Sequence, residues 1–267
     1  MAWLDRFIRR DAPAAWPRPQ HEPSGLSAEF EFFVVGAPSD ARVPDDLRDH
    51  GHVEARLPAG VRLTPLRRAE IPGDFDALVE RITAGLEQEH PQLCAVARAA
   101  EHLHAVTAEG PDVGDFRMLQ GAWAIVRALV RAGAAGLYDN RARSWRTAHM
   151  VATPDADPSR LARSYRVMGA PLEGHAGGFI VWTAGLGKAA RPELLTLSPE
   201  VHLALSQQVL LDLGEACVRG RRLRVGDTVR LHGVRARVDA LVPGENAPAL
   251  DLENGCGGLL VVLFADA

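Results

Sequence analysis

The amino-acid sequence predicts an α+β fold: a mixed or antiparallel sheet packed by three main helices, with a β-rich C-terminal end. Three observations predict it. Residues 115–139 join an amphipathic helix directly to a buried strand. Short runs rich in Val, Ile, Phe and Trp, bounded by Gly, Pro and Asp, recur on both sides of that segment. Beyond residue 223 the chain alternates apolar and polar residues at the period of a strand.

The elements follow in order. Residues 1–10 set Trp3, Leu4, Phe7 and Ile8 opposite Arg6, Arg9 and Arg10, the pattern of a short amphipathic helix. Such a helix is either a membrane-surface or partner-docking anchor through Trp3, Phe7 and Ile8, or a terminal helix packed on its own domain. Pro13, Pro17, Pro19, Pro23 and Gly25 then read as an extended linker. The division is therefore a helix and linker over 1–25 and an α+β region over 26–267, with a point of subdivision near 152–176. A strand at Glu29–Val35 opens the folded region, and Val61-Arg62-Leu63 is a second, within loop-rich residues 36–72. Asp74 reads as the N-cap of a helix whose apolar face is Phe75, Leu78, Val79, Ile82 and Leu86. Residues 93–108 read as extended, or as two short strands.

Asp115 caps the next helix, in which Phe116, Leu119, Trp123, Val126 and Val130 recur at three- and four-residue intervals. Gly133 stands where a helix-ending glycine belongs, Ala134–Tyr138 reads as a buried strand, and Asp139-Asn140 as a turn. Residues 152–176 form a Pro-, Asp- and Gly-containing connection. Strands are predicted at Phe179–Trp182 and Glu193–Leu197. Ser198, with Pro199 in the first helical position, opens a helix through about Val218, ended by Gly220. Leu223–Leu231 alternates around a turn, and Val234–Val242 and Leu259–Phe264 complete the β-rich end.

Composition bounds the function. The 267 residues carry 30 Lys and Arg against 34 Asp and Glu, a net charge of −4. A protein that wraps nucleic acid carries a basic excess, because phosphate neutralisation supplies most of its affinity, so no nucleic-acid partner is expected. Cys94, Cys217 and Cys256 are odd in number and widely spaced, neither a disulfide framework nor a metal-binding CxxC. No stretch approaches the roughly 20 apolar residues that cross a bilayer. The N-terminus lacks the long apolar run and small-residue cleavage site of a secretion signal. The expected location is the cytoplasm.

Few motifs carry chemistry. Gly185-Leu186-Gly187-Lys188-Ala189-Ala190 follows a strand and matches the G-x-G-x-x-A form of a dinucleotide-binding turn. Such a turn needs a helix opening beside it, and Arg191-Pro192 and a strand follow instead. Two His-x-His pairs, His50/His52 and His102/His104, are candidate metal ligands, since alternate residues of a strand share a face. Glu54, Glu101 and Glu109 are the carboxylates nearest to them in sequence. No G-x-S-x-G elbow, papain-like Cys-Gly or H-E-x-x-H occurs, and no catalytic residue or cofactor is assigned. Cys94 and Cys217 read as core residues, and Cys256 as the more exposed thiol. Glu193 and Glu200 fit a structural role near a helix N-terminus.

Two stretches also carry a resemblance. Trp182-Thr183-Ala184-Gly185-Leu186, then Arg191-Pro192-Glu193-Leu194, resembles an uncharacterised bacterial domain family marked by a Thr-x-Gly-apolar segment leading into Phe-Gly-x-Pro-Glu-apolar-Glu. The apolar helix and the Arg224-Val225-Gly226-Asp227-Thr228 turn that follow are similar to the same family. So is the Ala132–Tyr138 passage from helix to strand. The resemblance spans about residues 93–230. It departs at Ala189-Ala190, where the family has Phe-Gly, and at Leu195 or Thr196, where it has a second acid. It implies a fold and no reaction, and relatives near bacterial toxin and secretion systems imply an immunity or accessory role. The expected function is thus a non-enzymatic protein-binding or accessory module, its partner another protein, with peripheral membrane contact through residues 1–10 as a further option. The alternatives are a metal-dependent hydrolase using the histidines with Glu101 or Glu193, and a nucleotide-binding protein using Gly185–Ala190.

Overall fold

The computed structural model describes residues 14–152, 165–172, 174–242 and 257–265. Trp3, Phe7, Ile8 and Cys256 lie outside the described residues. The fold is α+β. The first sheet joins β1 (Ser27–Val35), β2 (Val61–Arg67), β3 (His102–Pro111), β4 (Gly136–Asp139) and β5 (Ser144–Thr147), in the order β2-β3-β1-β4-β5. All its neighbours are antiparallel. The second joins β6 (Arg166–Pro171), β7 (Gly178–Ala184), β8 (Glu193–Pro199), β9 (Thr228–Leu231), β10 (Val234–Ala240) and β11 (Gly258–Ala265), in the order β6-β7-β8-β11-β10-β9. It is mixed, since β8 and β11 run parallel.

The apolar run of β1 explains its place at the centre of the first sheet. Phe30, Phe32 and Val34 face one cluster, Phe33 and Val35 the other, so the C-terminal half of the strand is buried on both sides. Helix α3 (Arg117–Arg131) covers the first face, with Leu119, Trp123, Val126 and Leu129 at most 2% exposed. Helices α1 (Pro72–Thr83) and α2 (Pro91–Ala99) cover the second with Phe75, Val79, Ile82, Leu93 and Ala97. The Trp145 indole donates to the Ile82 carbonyl at 2.9 Å and fastens β5 to α1. A short helix α4 (Ala148–Ala152) follows β5. On the second sheet, α5 (Leu203–Val218) buries Val209, Leu210, Leu213 and Cys217. These join Trp123 and Phe32 in one continuous core that spans both sheets.

Several boundaries differ from the sequence reading. Residues 91–99 are helical, because Pro91 occupies the first helical turn and Leu93, Cys94 and Ala97 fall on one face. Helix α1 begins at Pro72 with Ile71 as N-cap, which puts Asp74 in the first turn, where a negative charge favours the helix dipole. Helix α3 begins at Arg117, and Asp115 still accepts its N–H at 3.1 Å. Pro199 ends β8, and a 3-10 turn separates it from α5, so Ser198 does not cap the helix. Its buried hydroxyl accepts instead from Ser206 at 2.8 Å. Strand β6 lies in the stretch read as a connection, and β5 in residues 141–151, to which the sequence reading assigns no element.

Ala14–Gly25 runs along the body with a turn at Pro19-Gln20, closed by the His21 N–H donating to the Arg18 carbonyl at 3.0 Å. Trp16 is 6% exposed and its carbonyl accepts from Phe116 N–H at 2.9 Å. Gln20 and Glu22 donate their backbone N–H groups to Arg219 and Gly220 at 3.0 and 2.9 Å. Gly220 is required there: its φ is +111°, and a Cβ would lie 2.5 Å from the His21 Cα.

Candidate functional site

The β7–β8 connection is the chemically densest part of the molecule. Gly185 turns the chain at φ +113°, a 3-10 turn spans Leu186–Ala189, and Ala190 follows at φ +51°. Every residue from Thr183 to Arg191 is buried. Glu193, 3% exposed, closes this loop as a clasp. One carboxylate oxygen accepts the Thr183 hydroxyl at 2.7 Å; the other accepts the Gly185 and Leu186 N–H groups at 2.8 and 2.9 Å. Burial pushes the Glu193 carboxyl up to about 7, against the downward pull of those hydrogen bonds. The N–H groups at the start of the G-x-G-x-x-A stretch thus hold the chain's own carboxylate.

Two ion pairs radiate from the same loop. The Lys188 ammonium, wholly inside, bonds Asp139 at the end of β4 and lies 6.0 Å from the centre of the Phe32 ring. Burial pulls the Lys188 amine down, and Asp139 opposes the shift. Asp139 also accepts the Ala142 N–H at 3.0 Å. Arg191, 0% exposed, donates to Asp112 at 2.6 Å and to the carbonyls of Glu22, Gly220 and Arg221 at 2.7, 2.6 and 3.0 Å. Asp112 bonds Arg18 as well and accepts the Ser24 N–H at 2.8 Å. Burial alone would raise the Asp112 carboxyl, but Arg191, Ser24 and Arg18 hold it well below the usual carboxylate range. These charges are sealed from solvent, and they bond the N-terminal strap, the β3–α3 loop and the second sheet to one another.

An open site lies on the first sheet, beyond the reach of α1 and α2. There Glu29, Glu31, Thr107, Glu109, Arg62 and Arg141 line a cavity of about 630 Å³. Glu29 stands directly opposite Glu109, and Glu31 opposite Thr107, in the β1–β3 register. Glu29 accepts from Arg141, and Glu31 from Asn140, both at 2.6 Å. Glu109 is exposed and has no ion-pair partner among the described residues. Like charges facing each other across adjacent strands cost stability, and here only one of the pair is neutralised.

The histidine pairs fall out differently. His50 ends a 3-10 turn and its Nδ1 lies 3.2 Å from Arg131. His52 is 0% exposed, with Nδ1 and Nε2 held by the backbone of Glu54 and Arg117. The left-handed Gly51 between them replaces the strand that would have set both rings on one face. His102 and His104 do lie on a strand, β3, with ring centroids 5.6 Å apart. Glu101 is exposed beside Arg68, and Glu193 lies in the clasp of the second sheet. Cys94 and Cys217 are buried, and burial pushes the Cys217 thiol up to about 12. Among the described residues no group of three or more His, Cys, Asp and Glu side chains is placed to hold a metal ion.

Sequence reasoning did not single out Lys188, Arg191, Asp112 or Asp139 as ionic partners. The signal was one of type alone: a lysine and an arginine inside an otherwise apolar, glycine-containing run. No family model, no curated protein and no solved structure matches the chain.

Proposed function

We propose that this chain is a non-enzymatic, cytoplasmic protein-binding or accessory module of the immunity type, a relative of the uncharacterised bacterial family that its Thr183–Leu194 segment resembles. The partner is another protein, seated on the open half of the first sheet. One observation carries the reading: α1 and α2 roof only part of that face and leave a charged concavity of about 630 Å³. Glu109 there has no ion-pair partner among the described residues and faces Glu29, so a basic side chain from a partner relieves a repulsion already present. Arg62 at the same cavity favours a partner that presents charges of both signs. The kinship is supported by the clasp, which gives Thr183, Gly185, Leu186 and Glu193 of the resembling segment one shared structural task. The net charge of −4 accords with a partner other than nucleic acid. Among the described residues no helix is long and apolar enough to cross a membrane.

The test is crosslinking and co-purification from the native host with the intact chain, Glu109→Lys and, as a control on the exposed side of α1, Glu80→Lys. A partner retained by the intact chain and by Glu80→Lys, and released by Glu109→Lys, is the expected result. Equal retention by all three, or a chain that remains alone at micromolar concentration, would sink the proposal.

A further inference from the structure

We propose that the Lys188 side chain condenses with that of Asp139 to give an intramolecular amide that joins the two sheets covalently. The nucleophile and the electrophile are in contact: the Lys188 ammonium bonds Oδ2 of Asp139. Asp139 ends β4, and Lys188 lies in the 3-10 turn between β7 and β8. Their side chains are 0% and 2% exposed. A free amine and a free acid in water do not condense unaided. Two groups held aligned inside a protein react with an effective molarity on the order of 10⁵–10⁸ M.

The surroundings favour the amide over the ion pair. The two carboxylate oxygens have different neighbours: Oδ2 meets the ammonium, while Oδ1 accepts the Ala142 N–H at 3.0 Å. That N–H is in place for the negative charge that Oδ1 gains when the carbon is attacked, within the about 2.7–3.1 Å expected of such a donor. It remains in place for the amide carbonyl afterwards. The Phe32 ring, itself 0% exposed, lies 6.0 Å from Nζ and helps to keep water out. Burial pulls the Lys188 amine down, Asp139 opposes it, and the weaker effects of Arg146 and Glu193 have opposite signs. A desolvated lysine is the activated form of this nucleophile. The product is neutral, so the reaction removes two charges that are costly to bury.

The step balances without a co-reactant. The ammonium passes one proton to Oδ2, leaving a neutral amine and a carboxylic acid. The amine lone pair forms the Nζ–Cγ bond, and Oδ1 takes the negative charge beside the Ala142 N–H. A second nitrogen proton moves to Oδ2, the Cγ–Oδ2 bond breaks, and Oδ2 leaves as water while Oδ1 returns to a carbonyl. Nothing is oxidised or reduced. The ion pair is thus the reactant, and its product ties together two residues 49 apart in sequence. Such a link constrains the unfolded chain as a disulfide does.

The test is the intact mass of the full chain under denaturing conditions, as purified and after overnight incubation at neutral pH, joined to a tryptic peptide map. Expected is a mass lower than the sequence requires by one water, about 18 Da. The map is expected to show residues 132–141 in a branched peptide with a segment left uncleaved at Lys188. Lys188→Arg is expected at its full sequence mass, and the map of the native chain decides the matter whether or not that variant folds. A native chain at full sequence mass at both times would overturn the proposal. So would a water loss that persists in Lys188→Arg, or one that maps to other residues.

Discussion

Arg191 shows what a single side chain does in this molecule. Its guanidinium is 0% exposed and reaches Asp112 and the carbonyls of Glu22, Gly220 and Arg221. A planar fork of five donors fits that ring of acceptors, and a lysine ammonium does not. Arg191→Met leaves the Asp112 carboxylate buried with fewer partners, and removing one partner from a buried pair costs about 3–5 kcal/mol. Arg191→Lys is expected to lose most of the same amount, read as the shift in urea midpoint; a Lys variant as stable as the native chain would show that geometry is unimportant there. Two other buried groups set the pH dependence. The His104 imidazole has a lowered folded value, so its contribution is whole above the ordinary 6.5 and is lost as pH falls below it. Glu193 has a raised folded value, so its contribution is whole below the ordinary 4.5 and is lost as pH rises through about 7. His104→Leu should therefore flatten the acid side of the stability profile, and Glu193→Gln the slope between 4.5 and 7. Unfolding curves measured from pH 4 to pH 8 separate the two, since the slopes have opposite signs.

At the scale of elements, the readable parts are those whose burial is written locally. Helix α3 followed by β4 was legible because its apolar residues recur at helical intervals and Gly133 stops it. Strand β1 was legible because both its faces are covered over the apolar half. Helix α2 was not, since an Ala-rich run shows weak periodicity and the decisive signal was Pro91. Strands β5 and β6 are edge strands with half-exposed residues, so their sequences lack a strand's alternation. The site was less legible than the fold. Lys188 and Asp139 are 49 residues apart, and Arg191 and Asp112 are 79 apart, so no local spacing announces either pair. The strap at Ala14–Gly25 was read from its prolines as a linker, yet Trp16 and Arg18 are among its buried residues. Deletion through Gly25 is expected to remove several kcal/mol, and Trp16→Ala alone about 3–5 kcal/mol, as for other buried aromatic truncations. Thermal unfolding of both variants measures this, and an unchanged midpoint would show that the strap is dispensable.

For the whole molecule, the question is whether the two sheets behave as one cooperative body. Both contribute to one shared apolar cluster, in which Phe32 and Trp123 join Leu194, Val209 and Val238. Buried ion pairs cross the same seam, Lys188 from the second sheet meeting Asp139 of the first, and Arg191 meeting Asp112 beside α3. Desolvation makes such pairs poor sources of net stability, but they are intolerant of losing one member. That asymmetry gives a prediction specific to the seam. Lys188→Met strands a buried carboxylate and Asp139→Leu a buried ammonium, and each should cost about 3–5 kcal/mol, while the double variant Lys188→Met/Asp139→Leu should recover much of the loss. Because the core is shared, each variant should lower one transition rather than detach one sheet. Urea unfolding followed by far-ultraviolet circular dichroism and by tryptophan fluorescence should give coincident curves in the native chain and in all three variants. Additive single losses, with no recovery in the double variant, would mean that the pair is uncoupled. Separate transitions from the two probes would mean that the seam does not bind the sheets into one unit.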